Sequence, residues 1–407
     1  MTTTQPVGFD RTSGSGNIIS AGPLADMPSG RSILPAGSYT DQAAFDLEKD
    51  RIFASGWTWA GFEHWVAGVG AVKPIHVGGR PLLMVRGEDD RIRVFHNSCR
   101  HRGMALTEEP ITVRKRIQCA YHCWSYNLDG DLAAAPFFHR ERGGTLEPDV
   151  RERLGLLQVV SYTWAGMVFV DLRPSAADPD EFVDAIAPLT RRWDHVDFTR
   201  LHLAEEREFD IGVNWKLIVE NFLDFYHLPF IHPQVGPVSS SLDIDDVVLG
   251  EAIMGGTYPR GAVGKAQKTE DSLPFLGDVP ADRIAGQDIF CVFPNALLFL
   301  EADWFQVIGF EPVSPERTVE HMAIFVDSSA SGEDFAAARK KLGQVLFEVN
   351  EQDLPILYKL QEGRRSPGSN ATNLVSYWDQ ITALFQTHVA RKMRETDLPK
   401  GHHVREQ

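Results

Sequence analysis

Cys99-Arg-His101-Arg-Gly103 and, after a spacer, Cys119-Ala-Tyr-His122-Cys123-Trp124 are the residues around which the chain is organised. Two Cys-His pairs face each other across seventeen residues, the first pair split by one residue and the second by two. Two thiolates and two imidazoles can hold a zinc ion, or a 2Fe–2S cluster in which histidines replace cysteines on one iron. The spacing favours the cluster, because structural zinc sites usually pair their cysteines as C-x2-C. One iron then takes Cys99 and Cys119 and the other takes His101 and His122, each pair at the tip of a tight loop.

Around these loops the pattern is β. Trp57-Thr-Trp59, Val72–Val77, Pro81–Val85, Arg91–Phe95, Leu156–Val160 and Met167–Asp171 are short apolar or alternating runs. Gly78-Gly79, Glu88-Asp-Asp90 and Asp129-Gly130 punctuate them as turns. An all-β domain over 57–172 is expected. Before it, residues 1–38 are rich in Gly, Ser, Pro and Thr and read as an arm. Residues 39–56 read as a helix with Phe45, Leu47, Ile52 and Phe53 on its apolar face, capped by Thr40 or Asp41.

Pro174–Asp180 reads as a linker, and a second domain, 181–407, follows. Phe182–Trp193 is expected as a helix and Leu201–Phe209 as a strand. Asn214–Leu228 is expected as a helix closed by Pro229. Residues 236–288 read as a long irregular pocket wall. Ile289–Leu300, Trp304–Pro312 and Thr318–Val326 read as an antiparallel meander, then Glu333–Gln361 as a long helix kinked at Pro355.

At 407 residues and 43% hydrophobic content the chain can bury two cores. A net charge of −16 argues against nucleic acid or an anionic membrane as partner. Four cysteines, two of them in the loops, make no disulfide framework, so a reducing, cytoplasmic compartment is expected. Met1-Thr-Thr-Thr-Gln-Pro6 has neither the basic start nor the apolar run of a signal peptide.

A second site is read from Asn214-Trp-Lys216 to Glu220-Asn-Phe-Leu-Asp224-Phe-Tyr-His227-Leu-Pro-Phe-Ile-His232. A chain that turns at Pro229 can bring His232 back to His227. Two imidazoles and one carboxylate on one face of an octahedral iron leave positions open for dioxygen and substrate. Asp353, from the distant long helix, is the expected third ligand. Asp224, three residues before His227, is expected to orient it. Phe222, Leu223, Phe225, Leu228, Phe230, Phe293 and Trp304 are candidate pocket walls, suited to a planar apolar substrate or a methylammonium group. No G-x-G-x-x-G fingerprint follows a strand, so no nicotinamide or flavin site is expected in this chain.

Together these motifs resemble the oxygenase (alpha) component of Rieske non-haem iron oxygenases, over nearly the whole chain after the arm. The resemblance rests on Cys-x-His-Arg-Gly (99–103), Cys-x-Tyr-His-x-Trp (119–124), the 214–232 stretch, and Asp353 with Gln361 eight residues on. It implies an α+β chain: a Rieske domain plus a helix-grip (START-like) catalytic domain. It implies a Rieske 2Fe–2S cluster on Cys99, His101, Cys119 and His122, and Fe(II) on His227, His232 and Asp353. It implies O2 as cosubstrate, NAD(P)H only through a separate flavin reductase or ferredoxin, and a homotrimer or dimer of trimers. In such a ring Asp224 would bridge His227 to His122 of the partner subunit. Length and Leu34-Pro-x-x-x-Tyr39 look closer to the choline and betaine monooxygenase-like group than to ring dioxygenases with a small β subunit. Monooxygenation, with N- or O-demethylation as an outcome, is therefore expected ahead of arene cis-dihydroxylation. A Rieske electron carrier joined to a non-catalytic START-like module would not need His227, His232 and Asp353. Cys123 departs from the family, which often has Gly there.

Overall fold

The computed structural model describes residues 30–140, 145–173, 178–232, 245–250, 252–259, 272–281, 284, 286–375 and 378–395. The β-rich first half forms a seven-stranded antiparallel sheet. Its strands run in the order Trp57–Phe62, Met167–Asp171, Gln158–Trp164, Ile92–His96, Arg80–Arg86, Ala71–Val77, Ile111–Thr112. A three-stranded sheet, Arg116–Gln118, Ser125–Asn127 and Leu132–Ala134, carries the second Cys-His loop. The two sheets share a core of Val72, Leu83, Phe95, Ile117, Tyr126 and Leu132.

The second half is a seven-stranded antiparallel sheet in the order Leu201–Ile211, Arg317–Asp327, Phe305–Ser314, Ala296–Leu300, Gly286–Val292, Ile253–Pro259, Asp245–Val248. This corrects two expectations. Part of the stretch read as an irregular wall, 245–248 and 253–259, supplies two strands. The run read as one strand, 289–300, is two strands, turned back at Phe293-Pro294-Asn295.

On one face of this sheet lie the helices Gln42–Arg51, Trp215–Leu223, Ala336–Arg364 and Gln380–Arg394. They share a core of Phe45, Phe53, Trp215, Val219, Phe310, Met322, Leu357 and Phe385. Asp41 caps the first helix through the Ala43 amide; Leu47, expected in its apolar face, is 44% exposed. The long helix runs on through Pro355 to Arg364. The end of the arm is strapped down: Gln386 accepts the Ile33 amide and Asn370 the Ala36 amide, and Tyr39 is fully buried. Residues 1–29 of the arm lie outside the described residues.

The opposite face meets the β-rich half directly. Trp59, Phe62 and Phe169 join Phe182 of the helix Pro179–Arg192, its C-cap Trp193, and Phe290, Leu298, Phe305 and Phe325 of the sheet, in one core. The helix starts at Pro179, capped by Asp178, so the end of the expected linker is helix. Asn295 clamps the backbone of Trp59, accepting its N–H at 2.9 Å and donating to its carbonyl at 3.0 Å. Gly309 leaves room for the indole of Trp59, which a Cβ would approach to 2.2 Å.

Candidate metal centres

The two Cys-His loops share one backbone design. In each, the amide of the fifth residue donates back to the carbonyl of the cysteine: Gly103 to Cys99 at 2.8 Å and Cys123 to Cys119 at 3.0 Å. In each, the cysteine amide donates to the residue after that, Met104 or Trp124, at 2.8 Å. Both fifth residues are left-handed, Gly103 at φ +74° and Cys123 at φ +57°. Cys123 therefore occupies the position glycine suits best, and its side chain is exposed.

The loops bury their sulfurs, Cys99 at 3% and Cys119 at 2%, while His101 and His122 are exposed. The imidazoles sit 4.6 Å apart between ring centroids, and Trp124 stacks on His101 at 5.0 Å. Burial and the adjacent Cys99 push the Cys119 thiol up. Two buried sulfurs and two imidazoles converging in this way fit a cluster with one buried and one outward iron. Tyr126, which the sequence reading did not single out, lies 3.2 Å from Cys99 Sγ and accepts the Arg100 amide at 2.9 Å. Burial, then Cys99, raises its pKa, so the phenol stays a donor to the sulfur.

The second site is assembled from two distant segments. The helix Trp215–Leu223 is capped by Asn214, whose side chain accepts the Lys216 amide. It ends at Leu223, five residues short of the expected end, because Asp224 turns extended and accepts the Tyr226 amide at 2.7 Å. Pro229 then sits in the first turn of a short helix, Leu228–Ile231, a place proline favours. That turn returns His232 to His227, with their Nε2 atoms 3.2 Å apart. Asp353 Oδ1 lies 3.1 Å from His232 Nε2 and 3.6 Å from His227 Nε2. Adjacent donors on an octahedral ion at about 2.1 Å stand about 3.0 Å apart, so the three atoms fit one triangular face. Asp353 Oδ1 is buried without a hydrogen-bond partner, which a cation would supply. His227, His232 and Asp353 form the one metal-competent trio of His, Cys, Asp and Glu found among the described residues.

Each imidazole is held from behind. His227 Nδ1 donates to Asp224 Oδ2 at 3.3 Å, and His232 Nδ1 to Gln352 Oε1 at 2.9 Å. These bonds free both Nε2 atoms for a metal. Burial pulls His232 down, but the Asp353 carboxylate outweighs it, so a proton and a cation compete for the same pocket. Gln352 was not anticipated, although it precedes Asp353. Nor was Glu320, which accepts from Asn350 at 2.7 Å and which burial pushes up to about 7.

The rest of the 214–232 stretch is scaffold. Lys216, fully buried, pairs with Glu48 at 2.5 Å, and Trp215 donates to the same carboxylate at 2.7 Å. Tyr39 donates to Glu220 at 2.5 Å. Gln361 accepts the Asn214 amide at 2.8 Å and ties the long helix to the ligand helix.

Of the expected walls, Phe222, Phe225 and Leu228 meet Ile289, Phe299 and Trp378 beside the ligands. Leu223 belongs instead to the helical core, and Phe293 packs there on Phe385 and His388. Trp304 stacks on Phe299, in a neighbouring cluster that shares Phe299. Phe230 is 72% exposed. No helix among the described residues is long and apolar enough to cross a membrane.

Residues 56–154 match the Rieske [2Fe-2S] domain model, and residues 198–395 match the ring hydroxylating alpha subunit (catalytic domain) model. The chain is 31% identical over 214 residues to the glycine betaine monooxygenase oxygenase subunit of Pseudomonas aeruginosa, covering 53% of this chain and 47% of that one. The match thus spans about half the length of that relative. To the carnitine monooxygenase oxygenase subunit of Escherichia coli it is 28% identical over 339 residues, 82% of this chain and 85% of that one. A crystal structure of a quaternary ammonium Rieske monooxygenase with L-carnitine shares the fold at TM-score 0.72 and 22% identity, covering 92% of this chain and 98% of that one. A naphthalene 1,2-dioxygenase from Rhodococcus sp. bound to indole does so at 0.72 and 17%, covering 90% and 95%.

Proposed function

We propose that this chain, which belongs to the Rieske non-haem iron oxygenases as an oxygenase (alpha) component, is a terminal oxygenase that hydroxylates a small organic substrate. The observation that carries the reading is the triad, with His227, His232 and Asp353 turned on one point and a buried carboxylate oxygen unsatisfied there. A merely electron-carrying protein would not need that face. Cys99, Cys119, His101 and His122 would hold the cluster, and the triad the mononuclear iron. When bound, the metals supply one-electron transfer and dioxygen activation.

The residues do the rest. Asp224 and Gln352 fix the two imidazoles with Nε2 free. Phe222, Phe225 and Leu228 with Ile289 and Phe299 exclude water and present an apolar wall to the substrate. Insertion of one oxygen atom is the favoured outcome. Where the hydroxylated carbon bears nitrogen or oxygen, N- or O-demethylation follows. The carnitine and glycine betaine monooxygenase relatives support this over ring dihydroxylation. Labelled dioxygen decides it, since two labelled atoms in one product would mean a dioxygenase.

Electrons come from a separate ferredoxin or flavin reductase and from NAD(P)H through it, in the cytoplasm. Exposed His101 and His122 favour delivery across a subunit boundary, in a homotrimer or dimer of trimers. Asp224, partly exposed and already bound to His227, has lone pairs for a second imidazole, that of His122 of the partner subunit. Asp224→Asn is expected to keep both metals and slow iron reduction by the cluster. An unchanged single-turnover rate, or a fully active monomer, would remove the bridging role.

A further inference from the structure

The helix-facing side of the catalytic sheet is packed in two patches with a strip between them. One patch is the large core that holds Leu297, Ile308 and Met322. The other surrounds Trp304 and Val326 beneath Leu342 and Leu346 of the long helix. Side chains alternate along a strand. Ile324 therefore stands between Met322 and Val326, and Gln306 between Trp304 and Ile308. The ladder aligns them in one row across four strands: Ile289 opposite Phe299, Phe299 opposite Gln306, Gln306 opposite Ile324. Phe225 and Leu228, which flank the ligand His227, pack onto Ile289 and Phe299. The row is the floor under the segment that carries the iron ligands.

Gln306 is the one polar side chain of that row. It is 5% exposed and makes no side-chain hydrogen bond among the described residues. Its carboxamide keeps a sliver of accessible surface, so the amide opens onto the space above the row and is not sealed in the core, a place that methionine or leucine would fill as well by shape alone. Its neighbours are apolar on both sides, so nothing in the row satisfies it.

We infer that Gln306 is the recognition residue of the substrate pocket, pairing its carboxamide with an oxygen function (hydroxyl, carbonyl or carboxylate) on an otherwise apolar substrate body. The pairing fixes which carbon faces the iron. A site built to bond such a group discriminates against the analogue that lacks it, because its own polar group is then left unpaired. The inference rests on the oxygenase reading of the pocket.

Calorimetric titration of the anaerobic holoenzyme tests it, with toluene, benzyl alcohol, benzamide and benzoate as probes of matched body. Wild-type protein is expected to bind at least one oxygen-bearing probe about tenfold or more tightly than toluene. Gln306→Met, closest in shape, should bring that ratio to about one and leave toluene binding unchanged or tighter. Gln306→Glu separates the two kinds of partner: it should reject benzoate if a carboxylate is the natural group, and retain benzyl alcohol if a hydroxyl is. No preference over toluene in wild-type protein, or a preference that survives Gln306→Met, overturns the inference. Iron content and the visible spectrum are read on every sample. Their loss in wild-type protein would count against the oxygenase reading itself, whereas a lost preference with both metals intact bears on Gln306 alone.

Discussion

At the cluster loops the sulfurs are buried and the imidazoles face outward; at the triad His232 is 1% exposed and the carboxylate is buried with it. The first centre is made by two copies of one local turn, each closed by its own backbone. The second exists only when a loop after the helix Trp215–Leu223 meets a helix more than a hundred residues further on. A site that passes electrons to a partner benefits from an exposed edge. A site that handles a reactive oxygen species benefits from a dry interior. On the proposed function, the two centres of this chain divide those needs between them.

The division can be broken from either side. His227→Ala should lower iron from about three atoms per chain to about two, abolish turnover and keep the visible colour. His122→Ala should do the reverse, bleaching the protein while the mononuclear site still takes up iron. Metal analysis with visible spectroscopy reads both, and a variant that emptied both sites would show that they are not independent. Glu48→Gln probes the scaffold of the second centre alone. It leaves the Lys216 ammonium buried and unpaired, at an expected cost of about 3–5 kcal/mol. Denaturant unfolding measures that loss, and the visible circular dichroism of the folded variant should not change.

Smaller effects sharpen the contrast. Gln352→Leu removes the acceptor behind His232 and should weaken iron binding about 10–100-fold, measured by chelator competition. Tyr126→Phe removes the donor to Cys99 and should lower the cluster potential, with no effect on mononuclear iron affinity. A Tyr126→Phe cluster with an unchanged potential would mean that the phenol only packs.

The same contrast explains what was legible in the sequence. The two converging Cys-His loops were readable because their spacing is the turn. His227, His232 and Asp353 were readable as residue types, yet the helix end was misplaced. Pro229 was read as a stop, and the real stop is the extended backbone of Asp224. The strands Asp245–Val248 and Ile253–Pro259 were missed because they are short and carry Gly255-Gly256, a composition that reads as loop. Gly255 lies against the carbonyl of Ile289, so the strand pairing demands what the propensity penalises. Leu223 and Phe293 were expected as walls and pack in the helical core, because an aromatic or apolar residue near a ligand motif looks the same whether it faces a pocket or a core. Only the packing of the folded chain separates them.

The seam at Trp59 carries a consequence for motion. Its indole lies on Gly309, its backbone is clamped by Asn295, and one apolar core runs through it from the first sheet into the second. Such a joint leaves no hinge about which the cluster-bearing half could swing. Within one subunit the separation of the two centres is then a constant of the fold. Under the proposed transfer between subunits, the rate at which an electron reaches the iron would be set when subunits assemble, and tuned afterwards by adjustments at the ligands, not by travel of a domain. Heat should find the same rigidity, with both halves losing protection against hydrogen exchange in one cooperative step.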